Sequence, residues 1–249
     1  YDVLLEGKPL RDVAVKTEIE GLDVAPATIN LVGAEVELVS SLAREFKLKR
    51  ALEKLSSYDR VLLDCPPSLD LLTLNALTAA DEVLIPIQCE YYALEGLTQL
   101  MQSIRMVREE LNPGLEVGGV LLTMFDPRTN LAHQVADEVR SFFGERVFHT
   151  IVPRNVRLSE APSFGKSILE YDPNGTGARA YRALAAATPP YREPLLAVEP
   201  EQRALVCGEV RRDLLPVLRP LLARGTICGC LARGIFSDSC EPSVFDDDV

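Results

Sequence analysis

The segment Arg60-Val-Leu-Leu-Asp64-Cys-Pro-Pro-Ser68 places an acid at the end of a short apolar run and follows it with two prolines. A carboxylate at the end of a buried strand can accept a hydrogen bond from a magnesium-bound water beside a nucleotide's phosphates. Pro66 and Pro67 cannot extend a ladder, and they stiffen the turn that follows. The plainer reading of Asp64 is a cap for the next helix. A second candidate is Gly165-Lys166-Ser167, which matches the end of a phosphate-binding loop signature. Five residues before Gly165 that signature requires Gly, and this chain has Glu160 there. The triplet also follows a Pro-Ser loop rather than an apolar strand, so it reads as surface loop.

Cysteine is the remaining chemistry-bearing residue type. Cys65 and Cys89 are the only two in residues 1–187, whereas Cys207, Cys228, Cys230 and Cys240 fall in residues 188–249. A secreted disulfide framework spreads its cysteines through the fold, so reduced thiols and a cytoplasmic setting are expected. Cys228-Gly-Cys230 lacks the paired Cys-x2-Cys units of a structural zinc site, and no zinc is assigned.

The elements that must position these groups follow from the apolar pattern. Strands are predicted over Leu22–Pro26, Arg60–Cys65, Glu82–Gln88, Glu116–Met124 and Val147–Val152. Several are apolar on both faces, as parallel strands covered above and below by helices must be. Helices are predicted over Leu31–Leu55 with a break, Leu69–Ala80, Ala93–Leu111, Leu131–Phe143 and Gly177–Ala187, the third of them stopped by Pro113 and Gly114. The alternation implies an α/β fold: a parallel sheet with flanking helices, three layers in all. In such sheets ligands gather at the carboxyl ends of the strands, where Asp64 lies.

Length and charge bound the rest. The 249 residues are 47% apolar and 25% charged, which excludes general disorder and allows a sizeable core. No apolar run reaches the roughly 18 residues of a membrane span, and the first residues lack a basic-then-apolar signal pattern. A net charge of −11 argues against coating DNA with the whole surface, but leaves room for a local basic patch. Composition breaks near Thr188. Residues 1–187 carry 19 basic and 27 acidic groups, while residues 188–249 carry seven Arg, no Lys, ten acids and seven Pro. The chain is therefore divided into 1–187 and 188–249.

Five segments in order carry a resemblance. They are Asp64-Cys-Pro-Pro-Ser-Leu, Leu74-Asn-Ala-Leu-Thr-Ala, Pro86-Ile-Gln-Cys-Glu-Tyr-Tyr-Ala-Leu-Glu-Gly96, Leu121-Leu-Thr-Met-Phe-Asp-Pro-Arg-Thr-Asn130 and Ile151-Val-Pro-Arg-Asn-Val-Arg-Leu-Ser-Glu-Ala-Pro-Ser163. Together they resemble the ParA/Soj family of chromosome- and plasmid-partitioning ATPases, over residues 1–187. The resemblance implies a P-loop NTPase-like fold in which Asp64 is the Walker B carboxylate, acting on Mg2+ through water. It places Pro153 and Asn155 at the adenine pocket, an ordinary strand-to-helix turn being the plainer reading. It gives Gln88, Glu90 and Tyr91 a place on the nucleotide-sensing side without a catalytic role. Arg128 and Arg157 match positions that contact DNA phosphates, a task suited to a permanently charged fork. Charge agrees: residues 126–182 carry a balance of +1 against −12 elsewhere. The implied cycle uses ATP and Mg2+, an ATP-bound homodimer on the nucleoid, non-specific DNA, and a ParB-like stimulating partner, with no membrane.

The family's KGGVGKT-type loop and its DxDPQGN-type segment do not occur in this sequence. The chain is accordingly expected to begin after the family's first two strands and first helix, a fragment starting at Tyr1, with strand edges left unpaired. It is expected not to hydrolyse ATP alone. Residues 188–249 depart from the family's usual end. Arg203–Ala223 has helical apolar spacing, interrupted by Pro216 and Pro220, each costing about 3 kcal/mol in a helix interior. The tail reads as an unpacked extension or the product of a reading-frame change near Thr188. Two other functions stay open: a non-enzymatic DNA- and partner-binding remnant of the fold, and a membrane-associated division-site-selection relative.

Overall fold

The computed structural model describes residues 1–187 apart from residues 18, 20, 29, 59, 67 and 92, together with residues 204–208 and 227–229. Two short helices, α1 (Asp2–Leu5) and α2 (Leu10–Val13), lead into β1 (Val15–Lys16) and β2 (Leu22–Pro26). Then come α3 (Asn30–Leu38), α4 (Lys47–Leu52), β3 (Arg60–Asp64), α5 (Leu71–Ala79), β4 (Glu82–Gln88), α6 (Ala93–Glu110), β5 (Glu116–Phe125), α7 (Asn130–Phe143) and β6 (Val147–Pro153). The series continues with α8 (Val156–Glu160), α9 (Ile168–Tyr171), α10 (Thr176–Ala187), β7 (Ala204–Gly208) and β8 (Ile227–Gly229). These strands form one sheet in the order β1-β2-β7-β3-β8-β4-β5-β6. Only the β1–β2 pair is antiparallel among the described strands.

Alternation along the strands builds two cores. Leu62, Leu84, Leu121 and Val152 face one side and pack on Leu158, Ile168, Ala178, Tyr181 and Leu184 of α8, α9 and α10. Leu63, Ile85, Val120 and Leu122 face the other side, against Leu77 of α5, Leu97, Ile104 and Val107 of α6, and Val135 and Val139 of α7. Successive residues of one strand thus feed opposite layers, which is why these runs must be apolar throughout. Gly119 of β5 lies against the Phe148 ring of β6, in space that a Cβ would occupy.

The expected long helix over 31–55 divides at Ala43, whose φ of 50° is left-handed. A 3-10 turn, Arg44–Phe46, joins the halves. Buried Asn75 of α5 clasps this break: its Oδ1 accepts from Leu48 N at 3.1 Å, and its Nδ2 donates to Arg44 O at 2.8 Å and to Leu71 O at 2.9 Å. A buried amide with both ends paired pins an irregular joint that apolar packing alone would leave loose.

Two expectations are corrected by the sheet. Edges left unpaired beside β3 are not found, because β7 lies between β2 and β3, and β8 between β3 and β4, all in parallel register. Part of the helical spacing at 203–223 is also strand: Ala204–Gly208 takes ladder partners on both sides, and such pairing outweighs periodicity in a five-residue stretch. The remainder of that helix expectation, with Pro216 and Pro220, lies outside the described residues, as does most of the tail.

Candidate functional site

Because β2 to β8 run parallel, their carboxyl ends share one edge of the sheet. Asp64 closes β3 there, half-buried, with Gly229 of β8 as its register partner and Leu63 paired to Cys207 of β7. It does not cap the next helix. That cap is Asp70, whose Oδ1 accepts from Thr73 N at 2.9 Å and whose other oxygen takes a hydrogen bond from Ser68. Burial pushes the Asp70 carboxyl up, but the Ser68 and Thr73 donors outweigh it and hold the group below the usual range. Neighbouring Glu35 is pushed up by burial and by the Asp70 charge. The capping alternative for Asp64 is thus removed by a residue six positions later.

Around Asp64 the described residues do not by themselves make a magnesium–nucleotide site. They contain no group of three or more His, Cys, Asp or Glu able to hold a metal. They also present no glycine-rich loop of convergent N–H donors. Gly165 instead ends a 3-10 turn at φ 61°, and Ser167 is wholly buried as the N-cap of α9, forming a capping box with Glu170. Gly165 and Lys166 are exposed, as expected of a surface loop; buried Ser167 is not.

The other predicted residues gather at the ends of β5 and β6, three and four strand intervals from β3, or about 14 to 19 Å at the usual spacing. Phe125 pairs with Pro153, and Arg154 N donates to Phe125 O at 2.9 Å, so the turns leaving both strands lie side by side. Met124 adopts a left-handed φ of 53° just before β5 ends, a costly conformation for a residue with a side chain. Asn155 is the N-cap of α8: its Oδ1 accepts from Arg157 N at 2.9 Å and its Nδ2 donates to Thr176 Oγ1 at 2.9 Å. One lone pair and one amide hydrogen remain beyond these two bonds.

Arg128 extends from the β5 turn with its side chain 85% exposed. Its Nε and Nη2 donate to the two oxygens of Asp126 at 2.9 and 2.7 Å. That fork, with the Arg128 backbone N–H, holds the Asp126 carboxyl far below its ordinary range. Arg157 donates to Glu160 at 3.1 Å and lies over the Tyr171 ring, 5.8 Å from its centre. Sequence reasoning missed Arg154, which reaches Glu90 at 2.8 Å, although it lies in the segment Ile151–Ser163, two residues after a predicted strand. Asp64 is not brought to this group; Pro153, Asn155, Arg128 and Arg157 are.

Comparison with known proteins bears on this arrangement. An AAA-domain family model matches residues 1–117. The sporulation initiation inhibitor protein Soj of Bacillus subtilis is 56% identical over 186 residues, covering 74% of this chain and 74% of Soj. The chromosome partitioning protein ParA of Myxococcus xanthus is 58% identical over 185 residues, covering 74% of this chain and 65% of that one. Among solved structures, cobyrinic acid a,c-diamide synthase of Mycobacterium smegmatis, with bound ADP and magnesium, is 38% identical at a TM-score of 0.62. That likeness covers 75% of this chain and 69% of the synthase. Identity at the level found with Soj, over that share of both chains, shows that the chain belongs to the ParA/Soj family of partitioning ATPases.

Proposed function

We propose that this chain serves the segregation of chromosomal or plasmid DNA, and that the turns after β5 and β6 form its DNA-facing edge. The observation that carries this reading is the Phe125–Pro153 register, which sets the turn bearing Arg128 beside the exit of β6 that leads to Arg157 on α8, in a chain 56% identical to Soj. Both guanidiniums are exposed, and both are held by carboxylates only in surface ion pairs, which phosphate can displace. The contact would be non-specific and steeply salt-dependent, since it is made to the backbone of DNA.

ATP, Mg2+, ATP-driven homodimerisation and a ParB-like stimulating partner belong to the same proposal, by way of the family. Within it Asp64 would act on Mg2+ through water, and Pro153 with Asn155 would border adenine. Chain 1–249 alone is expected not to turn over ATP, with or without DNA, because its sequence contains no phosphate-binding glycine loop. A non-enzymatic DNA- and partner-binding role is the second reading, and a protein that keeps the Arg128 and Arg157 edge without ATP turnover in its full-length form would support it. Among the described residues no helix is long and apolar enough to cross a membrane.

The test is binding of random-sequence duplex DNA over a range of salt. R128A and R157A should each make the plot of log affinity against log salt shallower by about 0.9. Salt-insensitive binding, or none by the unaltered chain, refutes the DNA reading.

A further inference from the structure

Three arginines crowd the exits of β5 and β6, and each engages one carboxylate: Arg128 with Asp126 at 2.7 Å, Arg154 with Glu90 at 2.8 Å, and Arg157 with Glu160 at 3.1 Å. In this arrangement each of the three guanidinium charges is matched by one carboxylate. The pairs differ in kind. Asp126 and Glu160 are two and three residues from their arginines, on the same turn. Glu90 is 64 residues from Arg154 and sits in the turn after β4, where its N–H bonds to Gln88 O at 2.9 Å. The Glu90–Arg154 bridge therefore spans the carboxyl end of β5 and ties two strand exits together.

Arg154 has what a phosphate contact needs. Its backbone is fixed by the 2.9 Å bond to Phe125 O, beside the Asp126–Arg128 turn, and its side chain is 55% exposed. Its fork can meet two phosphate oxygens at once. Its partner Glu90 is 49% exposed, so solvent screens the bridge and phosphate can displace the carboxylate. We propose that Arg154 is a third phosphate-contacting residue of this edge, and that Glu90 competes with phosphate for it. The position of the β4 turn then sets how much of the edge's charge is available to DNA. This inference rests on the DNA-facing reading given above.

The experiment measures anisotropy of labelled random-sequence duplex DNA with the full chain, over a salt series, for R154A, R154K, E90Q and the double variant R154A/E90Q. Circular dichroism checks that each is folded. R154A should flatten the salt slope by about 0.9, as R128A does, while R154K keeps the slope but binds more weakly. E90Q should bind more tightly than the unaltered chain, and this gain should vanish in the R154A background. An unchanged slope in R154A, where R128A and R157A both flatten it, overturns the role of Arg154 alone. An equal gain from E90Q with and without Arg154 reduces Glu90 to a general charge effect and overturns the competition. Absence of DNA binding by the unaltered chain removes this inference together with the reading beneath it. Should R154A not fold, R154K replaces it: weaker binding at an unchanged slope supports the phosphate contact and binding equal to the unaltered chain overturns it, while a gain from E90Q as large in the R154K background as in the unaltered chain overturns the competition.

Discussion

The Asp126 carboxyl shows how one side chain conditions another at this edge. Held well below the ordinary carboxylate range by the Arg128 fork, it is ionised at every pH at which the protein would work. A depressed carboxylate contributes above its unfolded-state value and loses that contribution as pH falls through its folded-state value. The Asp126–Arg128 pair should therefore persist from neutral pH down past the usual carboxylate titration. Carboxyl chemical shifts of Asp126 followed by NMR should show no midpoint between pH 3 and pH 8; a midpoint near 4 would mean that the fork is open in solution. Cys89 behaves in the opposite sense. Burial pushes its thiol up to about 11, so almost no thiolate exists at pH 8. Iodoacetamide at pH 8 should leave Cys89 and buried Cys65 unmodified in the folded chain and label both in urea, as peptide mass mapping would reveal.

Among the elements, α5 connects the strand carrying Asp64 to the rest of the fold. Its start depends on the Asp70 cap, and its body on Asn75, which holds the joint between α3 and α4. D70A should lower unfolding free energy by about 1 kcal/mol, the usual cost of a lost N-cap. N75A should cost more, about 1–3 kcal/mol, because it strands the part-buried Leu48 N–H and Arg44 carbonyl together. Urea midpoints compare the two, and equal midpoints would refute the clasp. These contributions explain which elements could be read from sequence. Strands β3 to β6 were bounded to within a residue because buried parallel strands are apolar on both faces, a local signal. Helices α8 and α9 were not foreseen: five and four residues are too few to display a 3.6-residue period. Asp64 was read correctly as a strand-end acid, whereas its separation from a capping role depended on Asp70, a cap the run of leucines did not single out.

For the whole molecule the decisive feature is how the sheet is completed. β7 and β8 come from beyond residue 187, yet they pair with β2, β3 and β4, more than 100 residues earlier. Val206 sits at the middle of β7, opposite Val24 on one side and Leu62 on the other. Proline there removes a ladder donor at a position that has strand partners on both sides. V206P should shift the urea midpoint far below that of the unaltered chain and expose sheet edges that favour aggregation, seen by light scattering. An unchanged midpoint would show that residues 204–208 contribute nothing to the sheet's stability.

The sequence by itself determined the parallel α/β architecture, the strand-end position of Asp64 and the family, because apolar runs, turn residues and ordered motifs are local properties. Tertiary structure alone decided three other matters. It seated two short segments of the second part in interior positions of the sheet, through pairing between residues far apart in the chain. It separated Asp64 from the arginine edge by the width of the intervening strands. It joined Arg154 to Glu90 across the end of β5, a contact set by strand order, which no spacing along the chain encodes.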